Sequence, residues 1–259
     1  MSVLDSIIEG VREDLAARRL PLAQINEALS AAPPVIDLHP RLLAEPMSII
    51  AEVKRSSPSK GVLGAIANPV DLAQQYQDAG AVMVSVLTER RRFNGSLEDL
   101  IAVRAGITIP VLRKEFMVDE YQFLEARAAG ADAVLLIVAA LSKSQLKDYF
   151  DLATELGMAS LVEVHTPAEI EDALEIDPRI IGVNCRNLKT LELDKSAFAS
   201  LIPQIPEEII RIAESGISMR SEVVAAQDAG ARAILVGETL VRAGDIAEEF
   251  NALLGRTQG

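Results

Sequence analysis

Two rhythms of apolar and polar positions run along this chain. From Ile49 onward, short apolar runs of strand character alternate with stretches whose apolar residues recur every three or four positions. That is the pattern of repeated βαβ units and hence of a parallel sheet. The runs predict strands at 48–54, 81–86, 109–114, 132–138, 159–164, 180–184, 210–214 and 233–236. Eight strands with helices between them fit a closed (β/α)8 barrel of the α/β class. Three helix-to-strand joints share one wording: Gln77-Asp78-Ala79-Gly80-Ala81, Ala128-Ala129-Gly130-Ala131-Asp132 and Gln227-Asp228-Ala229-Gly230-Ala231. Each glycine is a helix-ending residue that can take positive φ. An open doubly wound sheet would alternate in the same way, but it normally carries a glycine-rich turn after its first strand. Here that place holds Lys54-Arg55-Ser56-Ser57-Pro58.

Upstream of the first strand, Leu4, Ile7, Ile8, Val11 and Leu15 recur at helical spacing, which predicts an amphipathic helix ending near Arg19 before Pro21. Ile25 to Leu29 predicts a shorter one. Ala31 to Pro46 holds four prolines and reads as an irregular surface connection, with His39 as a surface residue. The expected organisation is a helical extension, 1–45, packed on a catalytic barrel, 46–259. The extension is expected to matter more for catalysis than for folding, because all eight strands lie downstream of it.

Polar residues collect where the apolar runs end. In Ile49-Ile50-Ala51-Glu52-Val53-Lys54 the inward-alternating positions are Ile50, Glu52 and Lys54, so two opposite charges point into one interior. A charge buried without a partner costs several kcal/mol or more, so these must meet each other, water or a ligand. For one strand a structural ion pair would explain this. The runs ending at Lys114, Glu163, Asn184 with Arg186, and Glu214 with Ser215 repeat the same apolar-to-polar sense, and Ser85 ends another. The tail from Ser56 to Gly61 adds hydroxyls and flexible backbone suited to a loop over an anionic substrate. Active sites of barrels lie at these C-terminal strand ends. Neighbouring lysines and neighbouring carboxylates push pKa values apart, which equips a site for acid–base work. After the seventh and eighth strands, Ala213-Glu214-Ser215-Gly216-Ile217 and Leu235-Val236-Gly237-Glu238-Thr239-Leu240 are small enough for backbone N–H groups to hold a phosphate.

Bulk properties narrow the partners. Hydrophobic residues make up 49% of the 259 positions and charged ones 24%, a globular composition. The net charge of -13 argues against nucleic acid, which demands a basic face. No apolar run reaches the roughly 18 residues of a membrane span. The acids Asp5, Glu9, Glu13 and Asp14 stand where a signal peptide needs a basic start, so a cytoplasmic setting is expected. A single Cys185 excludes an internal disulfide, and two histidines without paired spacing give no metal-site pattern, so no metal is expected. On the residues alone three readings stand: an acid–base enzyme, a Schiff-base aldolase or sugar-phosphate isomerase on the same barrel, and a barrel that binds without catalysis. Three acids in the pocket argue against the last, because holding a dianion does not need them.

The segment Ile50-Ala51-Glu52-Val53-Lys54-Arg55-Ser56-Ser57-Pro58-Ser59-Lys60-Gly61 closely resembles the hallmark of the indole-3-glycerol phosphate synthase family. The resemblance continues in order through Ser85-Val86-Leu87-Thr88-Glu89, Phe93-Asn94-Gly95-Ser96-Leu97, Val111-Leu112-Arg113-Lys114, Leu161-Val162-Glu163-Val164-His165-Thr166, Val183-Asn184, Arg186-Asn187-Leu188 and Ala213-Glu214-Ser215-Gly216-Ile217. It implies closure of 1-(2-carboxyphenylamino)-1-deoxyribulose 5-phosphate to an indole with loss of CO₂ and water, without a cofactor. By matching position, Lys114 is expected to be the acid at the ketose oxygen and Glu163 to handle the proton of dehydration. Lys54 and Arg186 are expected to attract the substrate carboxylate, and Glu52, Asn184 and Glu214 to orient lysines and hydroxyls. Ser56, Ser85 and Ser215 are expected at the substrate, and Gly216, Gly237 and Glu238 at its phosphate. The expected partner is a small anionic sugar phosphate, with no nucleic acid and no membrane, bound by a monomer, a dimer being left open. As an acid, Lys114 is expected to have a depressed pKa that gives the alkaline limb of a bell-shaped pH profile. Glu115 and Cys185 depart from the family pattern and are expected to point away from the barrel axis. His165 is expected to shape the loop after strand five, outside the site.

Overall fold

The computed structural model describes residues 2–64 and 66–256. Eight parallel strands follow one another around a ring: β1 (Ser48–Val53), β2 (Met83–Leu87), β3 (Val111–Lys114), β4 (Ala133–Ile137), β5 (Ala159–Val164), β6 (Ile180–Asn184), β7 (Ile210–Glu214) and β8 (Ala233–Val236). The last pairs with the first, Ile49 opposite Ile234, and closes the barrel. The predicted fold is the observed one. β2 and β3 begin two residues later than predicted. Ala81 is still bound to the preceding helix through Tyr76 O, and Pro110 has no N–H to give the ladder.

Each strand is buried on both faces, which explains why the strands read as nearly unbroken apolar runs. Ile50, Met83, Leu112, Leu135, Leu161, Ile212 and Leu235 point inward and fill the barrel. Val53, Val84, Val134, Val162, Val183 and Val236 point outward beneath the helices. Burying each such side chain contributes about 1.5–3 kcal/mol. The ring of helices comprises α4 (Pro69–Asp78), α5 (Leu97–Gly106), α6 (Tyr121–Ala128), α7 (Lys143–Glu155), α8 (Pro167–Leu174), α9 (Ser196–Leu201), α10 (Arg220–Asp228), α11 (Glu238–Val241) and α12 (Ile246–Leu254), with α1 to α3 lying upstream of β1. Their starts are written locally: Ser142 and Gln145 form a capping box on α7, and Thr166 caps α8 with Pro167 in its first turn. Gly80, Gly130 and Gly230 take φ of 97°, 88° and 106°. At all three joints the next residue donates to the carbonyl five back at 2.9 Å, so one turn chemistry serves three βα units.

Upstream of β1 lie α1 (Val3–Arg18), α2 (Leu22–Ala31) and α3 (His39–Leu43). The first matches its predicted span, and α2 is longer than Ile25 to Leu29. The third lies inside the stretch read as irregular. Pro40 sits in its first turn, where a missing N–H breaks nothing, so this proline starts a helix instead of interrupting one. Leu4, Ile7 and Val11 of α1 pack with the barrel interior at the strands' C-terminal end. Leu38 and Leu42 join the same cluster, while the Ile36 N–H donates to the Asp132 carboxylate at 2.8 Å just ahead of β4. The imidazole of His39 is mostly covered, 2.9 Å from Asp37, rather than lying free on the surface.

Candidate active site

Strand parity turns Glu52, Lys114, Glu163, Asn184 and Glu214 inward at the C-terminal ends of β1, β3, β5, β6 and β7. Together they floor a cavity of about 480 Å³. The centre is Lys114, whose ammonium donates to Glu163 Oε2 at 3.1 Å and to Glu214 Oε2. Beside it Lys54 pairs with Glu52. The side-chain amide oxygen of Asn184 accepts the Arg186 N–H at 2.9 Å, and Arg186 Nη1 donates to Leu191 O, which brings the guanidinium back along the rim. Ser215 and Gly216 both take left-handed φ, 71° and 69°, which rolls the chain over the end of β7 into the cavity wall.

The two carboxylates bound to Lys114 separate in their proton affinity. Burial alone would lower the Lys114 pKa, but the charges of Glu214, Glu163 and Glu52 outweigh it and raise it. Glu163 is lowered: burial pushes it up, and Lys114, His165 and Asn184 more than reverse that. Glu214 is raised by burial and by the charge of Glu163, against the pull of Lys114. The pair therefore offers one carboxylate that stays ionised and one that takes a proton readily. The depressed lysine expected from its role is not found. In the free protein Lys114 is held protonated, so its own loss of a proton does not draw an alkaline limb near neutrality.

Most residues expected at the site line this cavity: Lys54, Arg186, Ser215, Gly216, Gly237 and Glu238 join the five above. Two do not. Ser56 pairs with Val62 in a short antiparallel ribbon, Ser56–Ser57 with Gly61–Val62, and the wall is formed by Ser57 and Ser59 instead. Ser85 lies opposite Glu52 in the register and is fully buried one layer beneath the cavity floor, and Leu87 takes the lining position on that strand. The Glu238 carboxylate faces Lys60 at 2.8 Å and Arg242 at 3.0 Å. Glu115 turns to the Thr88 hydroxyl at 2.7 Å, and Cys185 sits in the outer core and donates to Ser215 O, as alternation requires.

Sequence reasoning missed the cations Lys60, Lys195 and Arg242, all lining residues on loops or beyond the last strand, where periodicity carries no signal. It also missed an apolar wall, with Phe93 and Phe116 6.2 Å apart and Leu188, Leu191 and Leu193 beside the Arg186 loop. His165, left out of the site, lies 3.4 Å from Glu163. Among the described residues no group of three or more His, Cys, Asp and Glu side chains is placed to hold a metal ion, and no helix is long and apolar enough to cross a membrane.

The family model of indole-3-glycerol phosphate synthase matches residues 4–253. A relative of that name from Rhodococcus opacus is 55% identical over 258 residues, covering 97% of this chain and 96% of its own. One from Mycobacterium tuberculosis is 54% identical over 246 residues, covering 94% and 90%. Among solved structures, 3-hexulose-6-phosphate synthase aligns with a TM-score of 0.64 at 14% identity, over 82% of this chain and 99% of that one. A chain of the tryptophan synthase complex from Pyrococcus furiosus aligns with a TM-score of 0.60 at 17% identity, over 80% and 98%. At such identities these two speak for the barrel alone.

Proposed function

The chain belongs to the indole-3-glycerol phosphate synthase family, and on that premise we propose how its strand-end residues share the reaction. The activity is that of a carboxy-lyase of tryptophan biosynthesis: it closes 1-(2-carboxyphenylamino)-1-deoxyribulose 5-phosphate to indole-3-glycerol phosphate with loss of CO₂ and water. The substrate phosphate is bound by backbone N–H groups of Gly216, Gly237 and Glu238. The Glu238 carboxylate would repel a dianion directly, and its part is to hold Lys60 and Arg242 beside that place. Lys54 and Arg186 receive the substrate carboxylate, and its aromatic ring lies against Phe93, Phe116 and the leucines.

Lys114 then gives its proton to the ketose oxygen as the ring carbon attacks the carbonyl carbon. The tetrahedral ring carbon loses CO₂, and the electrons of that bond restore the aromatic ring through the neighbouring iminium. Loss of water needs one proton delivered to the departing hydroxyl and one removed from the new ring, and Glu163, the carboxylate held ionised, handles that transfer. Glu214 and Glu52 hold the two lysines in place. The observation that carries this reading is Lys114 bound between two carboxylates of opposite pKa shift at the floor of the cavity. A cytoplasmic setting completes it, in keeping with a lone thiol that is buried.

The test separates the two steps. In a single turnover, Glu163→Gln should release CO₂ at close to the normal rate while indole fluorescence appears about 10²- to 10⁴-fold more slowly. Equal slowing of both signals, or of neither, would remove Glu163 from dehydration.

A further inference from the structure

His165 follows Glu163 by two residues, just past the end of β5, and shares its inward side. Its ring is 10% exposed and the Glu163 side chain 2%. One ring nitrogen, Nδ1, lies 3.1 Å from Glu169 Oε2 in the first turn of α8. The backbone N–H of His165 donates to that same oxygen at 2.8 Å, and the Thr166 hydroxyl donates to the other Glu169 oxygen at 3.2 Å. The loop thus fixes Glu169, and Glu169 fixes the ring. The second ring nitrogen, Nε2, is buried without a hydrogen bond and lies 3.4 Å from Glu163 Oε1. Lys114 holds the opposite oxygen, Oε2.

The Glu163 carboxylate therefore meets a cation at each oxygen, but the two are not equivalent. Lys114 from β3 is shared with Glu214 from β7 and feels Glu52 from β1, and it is the group that must turn to substrate. Once Lys114 has given up its proton it is neutral. A buried carboxylate left without a cation is driven toward its protonated form, and a protonated Glu163 could not accept the proton of dehydration. An imidazole with a carboxylate facing each nitrogen can answer both only by carrying a proton on each, which makes it an imidazolium. Burial pulls its pKa down, but the two neighbouring carboxylates, Glu163 and Glu169, push it up to about 10.

We propose that His165 is a positioning residue for the reaction, resting on the role given to Glu163 above: pinned by Glu169, its ring holds Oε1 of Glu163 and remains as the carboxylate's cation when Lys114 turns to substrate. Neither the ring nor Glu169 needs to touch substrate.

The chain has two histidines, so its imidazole ¹⁵N–¹H spectrum is readily assigned with a His39 variant. In the wild-type protein at pH 8, His165 should show both nitrogens protonated, and a neutral tautomer there would overturn the proposal. In His165→Leu the acid limb of the kcat profile should move up by about one pH unit or more, with KM changed less than about twofold. His165→Gln keeps a donor without the charge, so it should restore part of kcat and leave the limb displaced. If His165→Leu does not fold, Glu169→Gln removes the anchor from a partly exposed position and should move the limb the same way. A limb unmoved in every folded variant would defeat the proposal. Near-normal indole formation in Glu163→Gln would instead defeat the role of Glu163, whereas a slow Glu163→Gln beside an unmoved limb would defeat only the role of His165.

Discussion

At the barrel mouth two glycines make room for carboxylates. A Cβ at Gly182, the inward position in the middle of β6, would overlap the carboxylate of Glu214, and one at Gly237 would come within 2.5 Å of Glu52 Oε2. Gly182→Ala should therefore push Glu214 off Lys114 and lower kcat by about 10- to 100-fold in a protein that still folds, since small misplacements are expensive at a reacting centre. A crystal structure of the variant with Glu214 unmoved and kcat unchanged would contradict this. His165 carries a pH signature of its own. Its folded pKa of about 10 lies above the ordinary value of 6.5, so the stability it contributes is complete below about pH 6.5 and is lost as pH rises toward 10. Urea unfolding should show wild type losing up to about 1.4 kcal/mol per pH unit across that window relative to His165→Gln, and parallel curves would argue for a neutral ring. At this scale the sequence was legible where alternation along a strand fixes direction, as for Glu52, Lys114, Glu163 and Glu214. It misled where a residue of the right parity stood one layer too deep, as Ser85 does. It failed where a loop decides, since Ser56 is expected at the substrate but lies in the short ribbon, His165 is expected outside the site but lies beside Glu163, and Lys60 is passed over; no period links a loop residue to what it faces.

Among the elements, the strands declared themselves because both faces are buried, and the helix exits because one glycine turn is used three times. The segment before β1 was harder to read. It works at both ends of the barrel: Ile7 of α1 helps to wall the cavity, while Leu38 and Leu42 are buried in the barrel cluster and Ile36 satisfies Asp132. Arg18 at the end of α1 adds a paired contact to Glu125, which also holds the buried Arg113. The expected division, catalysis rather than folding, therefore splits along the segment. Removing residues 1–31 should weaken substrate binding and, through the lost burial of Leu4, Ile7 and Val11 in the same cluster, lower the urea midpoint while unfolding stays cooperative. Removing 1–45 should also cost the burial of Leu38 and Leu42, about 1.5–3 kcal/mol each, a large part of a domain stability of roughly 5–15 kcal/mol. Urea unfolding of the two truncations checks this, and equal loss in both would contradict it.

The molecule as a whole carries a net charge of -13, yet Lys54, Lys60, Arg186, Lys195 and Arg242 line one cavity. An acidic protein that takes an anionic substrate must rely on that local field, and such fields are screened over about 10 Å at 0.1 M salt. KM should rise steeply between low and moderate ionic strength while kcat changes little, and a flat KM would mean that steering plays no part. The whole arrangement converges on Lys114, held among Glu52, Glu163 and Glu214 at the floor of that cavity. The most direct measurement is the steady-state rate of indole formation by Lys114→Ala, with CO₂ release followed in parallel and folding checked by circular dichroism. If Lys114 is the acid of ring closure, both signals should fall together by about 10²- to 10⁴-fold while KM stays close to wild type. A folded Lys114→Ala that forms indole at a near-normal kcat would contradict it.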